Sequence, residues 1–240
     1  MTGSGAALGH VRALLFDKDG TLFDFHRSWS VWTVGLLDTL APADTARQDR
    51  LAEVIGFDRA GQRFRPGAQF IGGTLAETCA LMLPHLPGEW TAESLRLWAG
   101  EQASRAQMVP PLPLAPLLDG FRGRGLGLGV ATNDAEHAAR VQLRAAGIDT
   151  RFDLILGYDS GYVPKPAPDM LMAFAAHLGL APAAVAMVGD STHDLHAGRM
   201  AGMTTVAVLT GIAEAGELAP HADIVLDDIG GLEALLDPVA

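Results

Sequence analysis

The sequence predicts an α/β fold, a doubly wound and mostly parallel sheet carrying an inserted all-helical domain. Three observations predict it. Short apolar runs bounded by turn residues recur along the chain: Val11 to Phe16, Leu126 to Ala131, Leu154 to Leu156, Val185 to Val188, Thr204 to Leu209 and Ile224 to Leu226. Helix-like stretches separate them, at Ala135 to Ala146, Asp169 to Leu178, Asp194 to Ala201 and Ile212 to Leu218, and Gly147, Gly179 and Gly202 mark helix ends. Strands alternating with helices imply right-handed crossovers and a sheet covered on both faces. Finally, the first run is cut off from the second by a long segment, Phe23 to Pro110, with helical patterns at Ser28 to Leu40, Thr74 to Met82 and Thr91 to Met108 and few strand-like runs.

The expected boundaries follow. Residues 1–23 and 112–240 make the α/β core, and residues 24–111 the insertion. Pro110, Pro111, Pro113 and Pro116 read as a stiff return connection, because proline restricts its own backbone and that of the residue before it.

Composition narrows the function. The chain has 240 residues, 49% hydrophobic and 19% charged, enough for one large domain or a domain with an insertion. Lys plus Arg number 17 against 28 Asp plus Glu, a net charge of −11 that repels phosphodiester backbones and argues against nucleic acid as a partner. The lone cysteine, Cys79, cannot close an intramolecular disulfide or build a multi-thiolate zinc site; it reads as a buried core thiol in a reducing cytosol. Met1 to His10 lacks a basic region followed by an apolar stretch, so no secretion signal is expected. Apolar windows such as Leu112 to Leu118 and Ala201 to Leu209 fall short of the roughly 20 residues of a membrane span. A cytoplasmic, soluble protein without membrane partners is expected; the sequence leaves its oligomeric state open.

Only two lysines occur, Lys18 and Lys165. Asp17 precedes the first and Pro164 the second, so neither belongs to a phosphate-cradling Walker loop. Gly123, Gly125, Gly127 and Gly129 miss the dinucleotide-binding spacing and lead into a strand, reading instead as a turn and small strand residues.

Ligands of parallel α/β sheets bind beyond the carboxyl ends of the strands, so the polar residues there matter most. Asp17-Lys18-Asp19-Gly20-Thr21 follows the first run, Thr132-Asn133-Asp134 the second, and Gly189-Asp190-Ser191-Thr192-His193-Asp194 the fourth; Pro164-Lys165-Pro166 precedes a helix. If the pleat continues past the first strand, Asp17 and Asp19 project to one side and Lys18 to the other. Crowded carboxylates there need a cation, and Asp190 and Asp194 add hard oxygen ligands that can converge on Mg²⁺.

These residues resemble the haloacid dehalogenase superfamily, in particular its Rossmann-like members with an α-helical cap inserted after the first motif, and the resemblance covers nearly the whole chain. Asp17-Lys18-Asp19-Gly20-Thr21-Leu22 matches the first motif, Thr132-Asn133 the second, Lys165-Pro166-Ala167-Pro168 the third, and Gly189-Asp190-Ser191 with Asp194 the fourth. The resemblance implies a phosphatase acting on a small phosphate monoester through an aspartyl-phosphate. Asp17 would be the nucleophile and Asp19 the general acid and base. Asp17, the Asp19 main-chain carbonyl and Asp190 would hold Mg²⁺, with Asp194 orienting that shell. Thr132 and Asn133 would donate to phosphoryl oxygens, and Lys165 would supply positive charge to both nucleophile and phosphoryl group.

Lys18 departs from the family, where an apolar residue is common, and is expected to make a structural ion pair. His193 and His196 have helical-turn spacing, but the family site is oxygen-rich, so histidine ligation is not expected. His26 reads as a helix residue or a contact near the cap hinge.

One fold serves several reactions, so the site must decide among them. Dehalogenation is disfavoured by Asp19 together with Asp190. Phosphonoacetaldehyde hydrolysis is excluded, since no lysine lies between Lys18 and Lys165 to form a Schiff base. A sugar phosphomutase is the closest alternative and a non-catalytic binding protein the alternative from another class. Within the cap, Gln62-Arg63-Phe64-Arg65-Pro66-Gly67, Gln69 and Ile71-Gly72-Gly73 resemble a specificity loop, where Arg63 or Arg65 can pair with a substrate carboxylate. Phosphoglycolate is the nearest analogy for the substrate.

Overall fold

The computed structural model describes residues 8–65, 67, 68, 70 and 74–236. The chain forms two compact units, one from the segments up to Asp24 and from Val109 onward, the other Phe25–Met108. Strand β1 (Ala13–Phe16) opens the first unit with every side chain buried, as in a strand covered on both faces. The chain leaves this unit at Asp24, whose amide donates to the Val109 carbonyl at 2.9 Å, so the outgoing and returning segments are tied together.

The second unit begins with a π-helical turn, His26–Ser30, that continues into α1 (Val31–Leu40). Helix α2 (Thr45–Val54) starts at Asp44, whose carboxylate accepts from the Arg47 amide at 2.9 Å. Strands β2 (Phe57–Asp58) and β3 (Arg63–Phe64) then pair antiparallel, followed by α3 (Leu75–Met82) and α4 (Ala92–Ser104). Reciprocal caps start the last two helices, Thr74 with Glu77 and Thr91 with Ser94; an N-cap of this kind contributes about 0.5–2 kcal/mol. The expectation of an all-helical insertion is corrected by β2 and β3. Phe57 and Phe64 oppose each other with ring centres 5.0 Å apart, and that buried aromatic pair holds together strands too short to show periodicity. Helix α2 escapes the sequence patterns because its residues are mostly polar and bury only Gln48, Leu51 and Ala52.

Back in the first unit, α5 (Leu114–Gly123) carries Pro116 in its opening turn, where a missing N–H costs nothing. The Pro-rich return therefore ends inside a helix. Next come β4 (Gly127–Ala131), α6 (Glu136–Ala145), β5 (Leu154–Leu156), α7 (Asp169–His177), β6 (Val185–Gly189), α8 (Thr192–Ala201), β7 (Thr204–Val208), α9 (Ala215–Leu218) and β8 (Ile224–Leu226). Two expected helices are shorter than their sequence patterns: α4 stops at Ser104, and only Ala215–Leu218 is helical in the stretch from Ile212.

All six strands of the main sheet run parallel, in the order β5-β4-β1-β6-β7-β8. The chain winds outward from β1 on one side and returns to β6 on the other, which puts the topological switch point beside β1. Phe16 pairs with Val130 on one side and Val188 on the other, so Asp17 and the loops after β4 and β6 leave the sheet at one level. Alternation along β1 sends Ala13 and Leu15 against Met170, Leu171 and Phe174 of α7. Phe16 stacks on Phe121 of α5, with ring centres 6.4 Å apart. A side chain on Gly129 would strike the Phe174 ring, so glycine lets that ring lie on the strand. Truncating such a ring to alanine costs about 3–5 kcal/mol.

Candidate active site

The main sheet delivers three carboxylates and one ammonium to the switch point. Asp17 follows β1, and its main-chain N–H donates a hydrogen bond to the Val188 carbonyl at 2.8 Å. Lys165 places its Nζ 2.6 Å from Asp17 Oδ1 and 2.5 Å from Asp194 Oδ1. The second Asp194 oxygen, Oδ2, accepts from the Ser191 amide at 3.1 Å and the Ser191 hydroxyl at 2.6 Å, closing the cap of α8. Asp190, between β6 and α8, completes the group: one carboxylate oxygen from each of Asp17, Asp190 and Asp194 lies within 4.8 Å of the others.

All four side chains are buried, Asp17 at 8% and Asp190 at 7% exposure. Burial pushes the Asp17 carboxyl up to about 7; Lys165 opposes the rise, and Asp194 and Asp19 add to it. Asp190 is raised in the same direction by burial and then by Asp17 and Asp194. Burial works against the charge on Lys165, but Asp17 and Asp194 together outweigh it and hold the ammonium above its ordinary value.

Three buried carboxylates facing one ammonium leave negative charge uncompensated, and an oxygen-only donor set suits a hard divalent cation. Space for Asp190 is kept by two glycines. A Cβ on Gly20, itself at φ +84°, or on Gly211 would run into the Asp190 carboxylate. Thr210 fixes that approach by donating its hydroxyl to the Gly20 carbonyl at 2.6 Å. The cluster thus fits a metal site.

Thr132 directly follows β4, and its amide donates to the Leu156 carbonyl at 3.0 Å. Its hydroxyl oxygen accepts from the Asp134 amide at 3.1 Å and keeps its proton for donation. Asn133 makes a contact that its place in the sequence does not reveal. Its Nδ2 donates to the Lys165 carbonyl at 2.8 Å and its Oδ1 accepts from the Lys165 amide at 3.0 Å. The side chain thereby grips the backbone that carries Lys165.

The first motif also departs from expectation. Strand β1 ends at Phe16, and the chain turns at once, with the Leu22 and Phe23 amides donating to the Lys18 carbonyl. The pleat that would have aligned Asp19 with Asp17 does not continue. Asp19 Oδ2 lies 2.6 Å from Lys18 Nζ, while Asp19 is absent from the three-carboxylate group. Lys18 is fully buried and also meets Gln142 Oε1 at 2.6 Å and Asp134 Oδ2 at 3.3 Å, the last without hydrogen-bond geometry. The expected ion pair of Lys18 is present, and its partner is the motif's own second aspartate. Burial works against the Lys18 charge, but Asp19 and Asp134 outweigh it and raise the group.

The insertion candidates fall in the second unit. Arg65 pairs with Glu53, with Nη1 at 3.0 and 2.9 Å from its two oxygens, and both side chains are exposed. Arg63 is exposed on β3, opposite Asp58. Pro66, Gln69, Ile71, Gly72 and Gly73 of the expected specificity loop lie outside the described residues. His196 sits 3.3 Å from His221 across a ring edge, and no histidine joins the metal-ligating group among the described residues. Cys79 is buried, and burial pushes its thiol up to about 11, which keeps it inert.

Gln142 and Gly211 have no prominence in the sequence, and its strand-end reading places Asp134 without its partner Lys18. The signal for Gln142 was its place on the buried face of α6 with Ala138, Ala139 and Leu143, where a polar residue needs a partner. Gly211 lies in the loop after β7, which also leaves the carboxyl edge of the sheet.

A parallel sheet with an acidic cluster at its switch point defines the class. The chain belongs to the haloacid dehalogenase-like hydrolase family, whose model matches residues 11–202, and it is therefore an enzyme of the hydrolase class. It is 31% identical over 235 residues to the Probable phosphatase IndB of Dickeya dadantii (strain 3937), covering 93% of this chain and 94% of that protein. It is 28% identical over 232 residues to the phosphoglycolate phosphatase of Escherichia coli O157:H7, covering 92% and 91%. The fold is shared with a subfamily IA, variant 1 hydrolase of the same superfamily from Geobacter sulfurreducens PCA. That likeness has a TM-score of 0.62 and 24% identity and covers 99% of this chain and 100% of the other. Among the described residues, no helix is long and apolar enough to cross a membrane.

Proposed function

We propose that this chain is a Mg²⁺-dependent phosphatase that hydrolyses a small phosphorylated metabolite through an aspartyl-phosphate on Asp17. The observation that carries the reading is the buried meeting of Asp17, Asp190 and Asp194 with the single ammonium of Lys165. Asp17 attacks phosphorus as the P–O bond to the leaving group breaks. Lys165 keeps the attacking carboxylate oriented through Oδ1 and offsets charge on the phosphoryl oxygens. Asp19, in its protonated form, gives its proton to the departing alkoxide. The resulting carboxylate then takes a proton from the water that cleaves the acyl phosphate, regenerating Asp17.

Asp17, Asp190 and the main-chain carbonyl of Asp19 would hold Mg²⁺, with Asp194 bracing Lys165 beside them. When bound, the ion supplies positive charge that polarises a phosphoryl oxygen. Thr132 donates its hydroxyl to the phosphoryl group, and Asn133 acts on Lys165 from behind.

Phosphoglycolate, the substrate in the name of the Escherichia coli relative, is the nearest analogy for the ester. The Phe25–Met108 unit is read as a cap, with Arg63 and Arg65 as its candidates for recognising a second anionic group. The composition and the inert Cys79 favour a cytoplasmic setting. The test is release of inorganic phosphate from small phosphorylated acids, sugars and nucleotides, with Mg²⁺ and with excess chelator. Metal-dependent release from one compound class is expected. Transfer of phosphate between positions of a sugar without release would replace this reading with a mutase, and inactivity on every ester would overturn it.

A further inference from the structure

The two lysines of this chain divide the first motif between them. Lys165 holds Asp17, and Lys18 holds Asp19. An ammonium with no exposure is costly to bury, and a merely space-filling role would be met at lower cost by an apolar side chain. Instead three acceptors from three parts of the fold converge on Lys18: Asp19 from the turn after β1, Asp134 from the loop after β4, and Gln142 from α6. Gln142 is neutral, so it aims the ammonium without competing for its charge. The side chain of Asp19 is 19% exposed while that of Lys18 is fully enclosed, so the pair opens outward only on the Asp19 side.

We propose that Lys18 is a positioning residue for proton transfer. It fixes one oxygen of Asp19 from beneath, so that the acid/base group keeps a single orientation at the open side. This rests on the phosphatase reading above. In this role Lys18 acts through Asp19, the carboxylate it meets at 2.6 Å. In the step concerned, the bond from Asp17 to phosphorus forms, the bond from phosphorus to the leaving oxygen breaks, and the Asp19 proton passes to that oxygen. A leaving group that is stable as an anion needs that proton little.

The experiment compares kcat/KM for phenyl phosphate, a poor leaving group, and 2,4-dinitrophenyl phosphate, a good one, in the Mg²⁺-loaded enzyme. Lys18→Met is expected to lower the phenyl phosphate value by about tenfold or more, a fraction of the roughly 10²–10⁴-fold that a general acid supplies, and the dinitrophenyl value by less than about threefold. In an Asp19→Asn background the same change should add nothing, because the group it positions is gone. Equal losses on the two esters, an unchanged ratio, or full additivity with Asp19→Asn would overturn the proposal. Thermal melting accompanies each variant. Should Lys18→Met fail to fold, Gln142→Met, which removes the neutral acceptor from Lys18, is judged by the same ratio and the same background. A wild-type enzyme inactive on both esters would bring down the phosphatase reading itself, and this inference with it.

Discussion

Asp194 meets Lys165 at 2.5 Å with one carboxylate oxygen and closes the cap of α8 on Ser191 with the other. Both oxygens are committed, one to the site and one to the fold, whereas Asp190 stands where two glycine backbones leave it room. The two aspartates of the fourth motif should therefore fail differently. Asp190→Asn is expected to raise the Mg²⁺ concentration for half-maximal activity by at least about tenfold, as befits loss of a charged ligand. Asp194→Asn should leave that concentration near its wild-type value, lower kcat, and cost about 1 kcal/mol of stability through the weakened cap. Metal titrations and melting curves on both variants check the contrast; equal shifts in metal requirement would refute it.

The nucleophile and the proton donor also separate. Asp17→Asn is expected to abolish turnover and acid-stable labelling by a ³²P-phosphate ester, because an amide is a poor nucleophile. Asp19→Ala should slow turnover by about 10²–10⁴-fold while leaving some labelling, the usual contribution of one acid/base group. Full-rate turnover by the Asp19 variant would remove its assigned role.

The raised carboxyls predict how metal and pH are linked. Asp17 moves from 3.8 in the unfolded chain to about 7 in the fold, and Asp190 moves the same way. The folded state then binds protons more tightly than the unfolded one between those values. Stability of the metal-free protein should fall as pH rises from about 4 to about 7 and level off above. Mg²⁺ needs the ionised carboxylates, so its increase in Tm should be larger near pH 8 than near pH 5. Scanning calorimetry with Mg²⁺ and with chelator measures this, and a metal-induced shift independent of pH would contradict it.

Asn133 is expected to matter through Lys165. Asn133→Ala removes both hydrogen bonds to the Lys165 backbone and should cost about 1–3 kcal/mol of stability. It should also lower kcat more than it raises KM, since the displaced ammonium is the one on Asp17. A pure KM effect would instead support direct phosphoryl binding by the amide.

Gly211→Ala tests the space around Asp190. The backbone there does not need glycine's left-handed conformations, so the effect is steric: the new methyl group displaces the Asp190 carboxylate. A weaker Mg²⁺ response is expected with little change in Tm. An unaltered metal titration would show that the carboxylate has room to move aside.

The sequence by itself determined the sheet and the place of the site. Six apolar runs lie within a residue or two of the six parallel strands, because strands buried on both faces admit little but apolar side chains. Asp17, Thr132 and Asp190 were legible as candidates because strand ends in a parallel sheet are where polar residues can meet a ligand, and Lys165 because it is one of only two lysines. The tertiary structure alone decided what each polar group holds. The turn after Phe16 ends the pleat and gives Asp19 to Lys18, Asn133 spends its amide on the Lys165 backbone, and Gln142 reaches Lys18 from a helix distant in sequence. Hydrophobic periodicity reports which face of an element is buried. A hydrogen bond, by contrast, is settled by distances of a few tenths of an ångström between elements far apart along the chain, which only their packing fixes.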